Sequence, residues 1–188
     1  MTMATAAVFR EVGGELTIEQ IRVDDPAPNE VLVRTVACGV CHSDLHVMQG
    51  SIAGPTPTVP GHEPAGVVEA VGADVRSVAV GDHVVACTSM FCGSCTQCML
   101  GRLHLCTGRR YCMRPKGAPP RLSLDGEPLK QFADLSGFSE MMLLHERAVV
   151  KIPDDLPLDA AALVGCAITT GVGAALNTAQ FTPGSSVA

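Results

Sequence analysis

Between residues 92 and 106 the chain runs Cys92-x-x-Cys95-x-x-Cys98 and, after seven intervening residues, Cys106, so four of its nine cysteines fall within fifteen residues. A segment rich in Cys, Gly and Ser and poor in apolar side chains has almost no core of its own and needs another source of folding energy. Four thiolates closing on one ion supply it, because structural zinc takes tetrahedral four-sulfur coordination and leaves no position open for a substrate. The same spacing admits an iron–sulfur cluster or a nucleic-acid-binding zinc ribbon, and disulfides are the redox alternative. An odd cysteine count speaks against complete pairing. A formal net charge of -6 removes the basic footprint that binding to a phosphate backbone requires.

The remainder of the chain supplies an ordinary core. Apolar side chains make up 47% of the 188 residues and charged ones 17%, yet there is no Trp and one Tyr, so Val, Leu, Ile, Ala and Met must fill the interior. The segments Ala6–Arg10 and Glu30–Val36 alternate in character on either side of the turn-rich Asp24-Asp-Pro-Ala-Pro-Asn29; Gly66–Val71 and Gly81–Ala86 follow, with glycine at the turns. This patterning predicts strands, and their succession a small β-barrel. The segment Thr107–Ser136 carries Pro115, Pro119, Pro120 and Pro128 among charged residues and reads as a lobe or long loop outside the core. Strand composition returns over Phe138–Ile152. Short helices are expected at Asp159–Gly165, capped by Asp159, and at Thr170–Asn177, with a strand beginning at Ser185–Ala188. No basic segment leads into an apolar one at the start, and no apolar run reaches the length of a membrane span. The expectation is a cytoplasmic protein with neither membrane nor nucleic acid as partner.

A second set of metal-type residues lies scattered along the chain: Cys41 in Cys38-Gly-Val-Cys-His-Ser-Asp44, His62 and Glu63 in Pro60-Gly-His-Glu-Pro64, and Cys166 after Gly165. Two thiolates and an imidazole meeting in space would leave zinc one open position, where the ion acts as a Lewis acid on an oxygen. Taken singly, each is as readily a packed or surface residue. Their company changes that reading. Cys38–His46, Gly61–Gly72, Val80–Val84, the cysteine lobe and Leu163-Val-Gly-Cys-Ala-Ile-Thr-Thr-Gly171 occur in one succession. That succession closely resembles the zinc-containing medium-chain dehydrogenases, the alcohol dehydrogenases in particular, over nearly the whole chain.

The resemblance implies a mainly β, GroES-like catalytic domain with a zinc-binding lobe and short helices over residues 1–166, the lobe lying at about 91–112. Residues 167–188 would be the truncated beginning of a Rossmann α/β domain for the cofactor. It implies two zinc ions per chain, a catalytic one on Cys41, His62 and Cys166 and a structural one on Cys92, Cys95, Cys98 and Cys106. By the same carry-over, Glu63 is a carboxylate beside the metal and Asp44 the acid that holds His62 by its other ring nitrogen. Ser43 bonds the alcohol and His46 is the outlet for its proton, while His42 meets the cofactor pyrophosphate and Thr170 the nicotinamide. The implied reaction oxidises alcohols to aldehydes or ketones with hydride transfer to NAD or NADP, in a homodimer or homotetramer. Cys166 in place of a carboxylate resembles alcohol rather than polyol dehydrogenases, and the length of Thr107–Ser136 resembles the dimeric enzymes. His83, His104 and His145 match no ligand position and are expected to be surface or structural, and Cys38, Cys87 and Cys112 to be packed thiols. The GxGxxG turn that opens a Rossmann domain is absent, so the chain by itself is expected to be inactive. The alternative is a non-catalytic zinc-binding or interaction module, which would need neither Ser43 nor His46.

Overall fold

The computed structural model describes residues 1–182 and 184–186. In chain order its strands and helices are β1 (Thr2–Phe9), β2 (Leu16–Val23), β3 (Glu30–Gly39), α1 (His42–Met48), β4 (Thr58–Val59), β5 (Glu63–Val71), β6 (His83–Ala86), α2 (Thr96–Met99), β7 (Leu122–Leu124), β8 (Glu127–Gln131), β9 (Met141–His145), β10 (Val149–Lys151), α3 (Leu158–Ala162) and α4 (Ala167–Gly173). The class is mainly β, as the strand patterning implies.

Two sheets share the work. Strands β1, β2, β7, β8 and β4 close a barrel, sealed where Phe9 of β1 faces Thr58 of β4. The second sheet has the order β10-β6-β5-β3-β9. Period-two alternation explains how one strand serves two interiors. In β9, Leu143 joins the barrel core with Val8, Ile21, Val23 and Leu122. Its neighbours Met142 and Leu144 point the other way, into a core with Val31, Val33, Val68 and Val84. A strand walled in on both faces must be apolar throughout, and Met141-Met-Leu-Leu144 is.

Two register shifts bend β3 against β5, between Leu32 and Val33 and between Thr35 and Ala37. Such bulges re-aim the strand end beyond them. Here they carry Gly39 opposite Glu63, at the mouth of the site described below.

Several expectations are corrected. The segment Thr107–Ser136 is not a loop outside the core: β7 and β8 form a hairpin within it, and Leu122, Leu129 and Leu135 are buried. Its turn, Asp125–Gly126, has φ of 52° and 86°, the left-handed pair that an Asp-Gly dipeptide adopts in a two-residue hairpin. Strand β2 is an additional element that pairs with the whole of β1. In helix α3 the N-cap position is held by Pro157, which makes no side-chain capping bond, and Asp159 lies inside the first turn, where its carboxylate favours the helix dipole. Helix α4 starts at Ala167 and continues as a π-type turn over Ala174–Thr178. The expected strand at Ser185–Ala188 is not formed at Ser185 or Ser186, and its last two residues lie outside those described. Among the described residues no single helix is long and apolar enough to cross a membrane.

The start of β3 is pinned by a buried charge network. Arg114 spans Asp24 at 2.6 Å and Glu30 at 2.7 Å, and Arg121 reaches Glu30 at 2.7 Å. Burial pushes the Glu30 carboxyl up, but hydrogen bonds and charge from Arg114 and Arg121 outweigh it and hold the group below its ordinary range. A carboxylate depressed in the folded state stabilises above its unfolded pKa, and that stability is lost as pH falls through the folded value. Glu30→Gln leaves the buried Arg121 guanidinium without its carboxylate and takes one of two carboxylates from the half-buried Arg114, and is expected to cost about 3 kcal/mol at neutral pH. In urea titrations the gap between wild type and variant narrows below about pH 4.

Candidate functional site

Three separate pieces of chain meet at the open end of the second sheet. Cys41 occupies the N-cap of α1, Glu63 opens β5 with His62 immediately before it, and Cys166 sits between α3 and α4. Each offers one ligand atom, and all four atoms lie within 4.8 Å of one another. Cys166 has φ -139° and ψ -71°, outside helical values, and the helical stretches on either side of it diverge by 51°. That break brings its sulfur to the cluster.

The helix and the strand are joined by one carboxylate. Asp44, 2% exposed, places Oδ1 at 3.1 Å from His62 Nδ1 and accepts a bond from the Gly61 backbone N–H at 3.1 Å. Its Oδ2 accepts from the Cys41 N–H at 3.3 Å, completing a capping box at the start of α1. With Nδ1 engaged, His62 presents Nε2 to the cluster, as a buried carboxylate does for a metal-binding imidazole. The hydrogen bond that the imidazole donates to Asp44 raises the His62 pKa against the opposing effect of burial.

The cysteines divide in character. Burial opposes ionisation of Cys41, but hydrogen bonds from the Ser43 backbone and hydroxyl and from His62 outweigh it and lower the pKa. Cys166 is pushed up to about 12, by burial first and then by Glu63 and the neighbouring Cys41. A cation among these donors relieves the repulsion that keeps Cys166 protonated. Sulfur, nitrogen and carboxylate oxygen in one cluster suit zinc.

Gly39 makes room for the carboxylate. A Cβ added there would overlap Glu63 Oε2 and lie 2.9 Å from Leu163 Cδ2. The only trace of this space in the sequence is the glycine of the Cys38-Gly39 dipeptide. Phe132 gave none: it packs edge-on against His62 at 5.4 Å between ring centroids, from the segment expected to be loop.

The remaining residues fall as follows. Ser43 is half-buried in the first turn of α1 beside Cys41, and His46 stands one turn along. His42 is exposed on the same helix and Thr170 is exposed on α4. His145 is buried and accepts a hydrogen bond from the Arg147 N–H, His83 lies on β6, and His104 is exposed. Burial pushes the Cys38 thiol up to about 12 and raises that of Cys112, in keeping with packed thiols.

The four-cysteine lobe is a second centre. Cys92, Cys95, Cys98 and Cys106 converge within 4.8 Å, with Cys95 Sγ 3.5 Å from Cys98 Sγ and 3.9 Å from Cys106 Sγ. A tetrahedral zinc–thiolate site sets its sulfurs about 3.8 Å apart, so the donors fit. Backbone N–H groups already point at sulfur, from Cys95 to Cys92 at 3.3 Å and from Cys92 to Cys106 at 3.2 Å. Backbone hydrogen bonds from Cys98 and Thr107 bring the Cys95 thiol down to about 5, while burial pushes Cys98 up to about 12. Gly108 lies so close to Cys92 that an added Cβ would overlap its sulfur.

Residues 27–154 match the family described as the alcohol dehydrogenase GroES-like domain. S-(hydroxymethyl)glutathione dehydrogenase from Komagataella pastoris is 41% identical over 187 residues, which is 97% of this chain and 49% of that protein. Among solved structures, an alcohol dehydrogenase zinc-binding domain protein from Burkholderia ambifaria is 40% identical with a TM-score of 0.86, over 94% of this chain and 49% of that one. Benzyl alcohol dehydrogenase from Acinetobacter calcoaceticus is 35% identical with a TM-score of 0.86, over 99% and 51% respectively. The chain spans about half the length of the relatives it matches.

Two measurements check the centres. Elemental analysis of the purified chain is expected to return about two zinc ions, with Cys41→Ser and Cys95→Ser each removing about one. Gly39→Ala is expected to displace the Glu63 carboxylate and lower zinc retention at the Cys41 cluster during dialysis against a chelator, leaving the lobe zinc in place.

Proposed function

This chain belongs to the zinc-containing alcohol dehydrogenase branch of the medium-chain dehydrogenase family, and from that membership we propose that it is the catalytic half of an enzyme oxidising alcohols to aldehydes or ketones with NAD or NADP as hydride acceptor. The observation that carries the reading is the convergence of Cys41, His62, Glu63 and Cys166, with Asp44 fixing the imidazole. On this reading residues 1–166 are the catalytic domain, with the lobe at about 91–112, and residues 167–188 begin the cofactor-binding domain.

Cys41, His62 and Cys166 would hold the catalytic zinc, and Cys92, Cys95, Cys98 and Cys106 the structural one. Zinc bound at the first site supplies a Lewis acid that lowers the pKa of an alcohol oxygen. The chain's own groups do the rest. The Ser43 hydroxyl, beside Cys41, takes the alcohol proton and hands it along α1 toward His46, three residues on and on the same side of the helix. Glu63 stands by as a carboxylate that can replace one ligand while substrate and product exchange. His42, exposed at the start of α1, supplies a basic group for the cofactor pyrophosphate, and Thr170 a hydroxyl near the nicotinamide. A zinc-binding interaction module would call for neither Ser43 nor His46.

The test is alcohol-dependent reduction of NAD or NADP by the intact protein that carries these residues, with benzyl alcohol as first substrate. Ser43→Ala is expected to lower kcat about 100-fold with the zinc content unchanged. His46→Gln is expected to slow turnover by a smaller factor, restored by added imidazole buffer. The 188 residues alone, which lack a GxGxxG turn, are expected to keep both zinc ions and turn over no alcohol. Unimpaired turnover in Ser43→Ala removes the proton relay from the proposal, and absence of zinc from the Cys41 cluster removes the catalytic reading.

A further inference from the structure

Helix α1 carries two imidazoles one turn apart. His42 and His46 meet edge to face with ring centroids 4.5 Å apart. The opposite side of the helix is the buried one, through Asp44 and Val47. His42 is exposed and His46 half-buried, and neither belongs to the two clusters of ligand-type residues. Among the described residues no hydrogen bond or ion pair engages either ring. Two side chains four residues apart on a helix project in the same direction.

We infer that His42 and His46 form a third metal site, a two-imidazole chelate for a borderline divalent cation such as zinc, on the rim of the Cys41 cluster. The His-x-x-x-His spacing is the one by which helices present paired imidazoles to zinc, and neutral imidazole is a preferred ligand of that ion. The rings are already adjacent, so rotation about the side-chain bonds alone can turn a nitrogen of each toward one ion. Two protein ligands leave the other positions to water, which makes the site exchangeable and weaker than either cysteine-built centre. Occupancy would also withdraw both imidazoles from the proton outlet and the pyrophosphate contact. That consequence rests on the dehydrogenase reading; the binding itself does not.

The experiment is equilibrium dialysis of the zinc-loaded chain against a series of free zinc concentrations, scored as zinc per chain above the tightly held complement. Baseline zinc content is read first, so failure of the catalytic-site reading is visible separately from failure of the third site. One further zinc is expected, its affinity falling about tenfold or more in His42→Gln and in His46→Gln. His104→Gln, at an exposed histidine remote in sequence, is expected to leave it unchanged. In proton NMR spectra the ring signals of His42 and His46 are expected to shift together over the same zinc range. Absence of the extra zinc overturns the inference, as does its undiminished binding in both α1 variants.

Discussion

The buried carboxylate of Asp44 is the joint on which the site turns. One oxygen takes the Gly61 N–H and faces His62 Nδ1, while the other takes the Cys41 N–H. A helix start and a strand start are thereby fixed to each other through three contacts to a single side chain. A carboxylate this deeply placed is tolerated only because its lone pairs are filled. The same bonds that satisfy it aim the imidazole and set the cysteine at the helix cap. Structure and site preparation here are one interaction, which is why the segment Cys41–Asp44 and the segment Gly61–Glu63 have to be understood together.

Much of this was legible in the residues, for reasons that differ by region. The lobe announces itself because its four sulfurs are close in sequence, so spacing alone speaks for the geometry. The strands β1, β3, β5 and β6 follow from period-two alternation and glycine punctuation. The Cys41–His62–Cys166 set became legible only through resemblance, since no local rule brings together residues so far apart. Three things stayed hidden. The hairpin of β7 and β8 was masked by prolines and charges around it, although its Asp125–Gly126 turn was in plain view. The extent of α1 is obscured because seven residues, His42–Met48, are too few for a helical period to stand out. The space left by Gly39 for Glu63 depends on the bend of β3, which no sequence pattern states.

The two centres are anchored differently to the rest of the molecule. The lobe is fastened to the main core through Cys92, Cys98 and Cys112, which are buried there with Met90 and Leu135, while Met99, Leu100 and Leu105 stay exposed. Arg147, just past β9, reaches the Cys92 carbonyl and stacks over Phe91, with ring and guanidinium 5.7 Å apart. Arg109 ties the far side of the lobe to Asp134 at 2.6 Å. The chain leaving the lobe is then caught by the Glu30 network through Arg114 and Arg121. The lobe is thus a rigid appendix of the second sheet rather than an independent unit.

That arrangement bears on the order in which the molecule comes together. The lobe sulfurs close a loop of fifteen residues, whereas the other cluster must join residue 41 to residue 166. By loop-closure entropy the longer connection costs roughly 2 kcal/mol more. Contacts close in sequence form early and distant ones wait for the sheets that carry them. A newly made chain therefore offers a sulfur-rich metal trap almost at once, and a complete second set of ligands only after β3, β5 and α4 have found one another. The two sites, so close in chemistry, are separated in time.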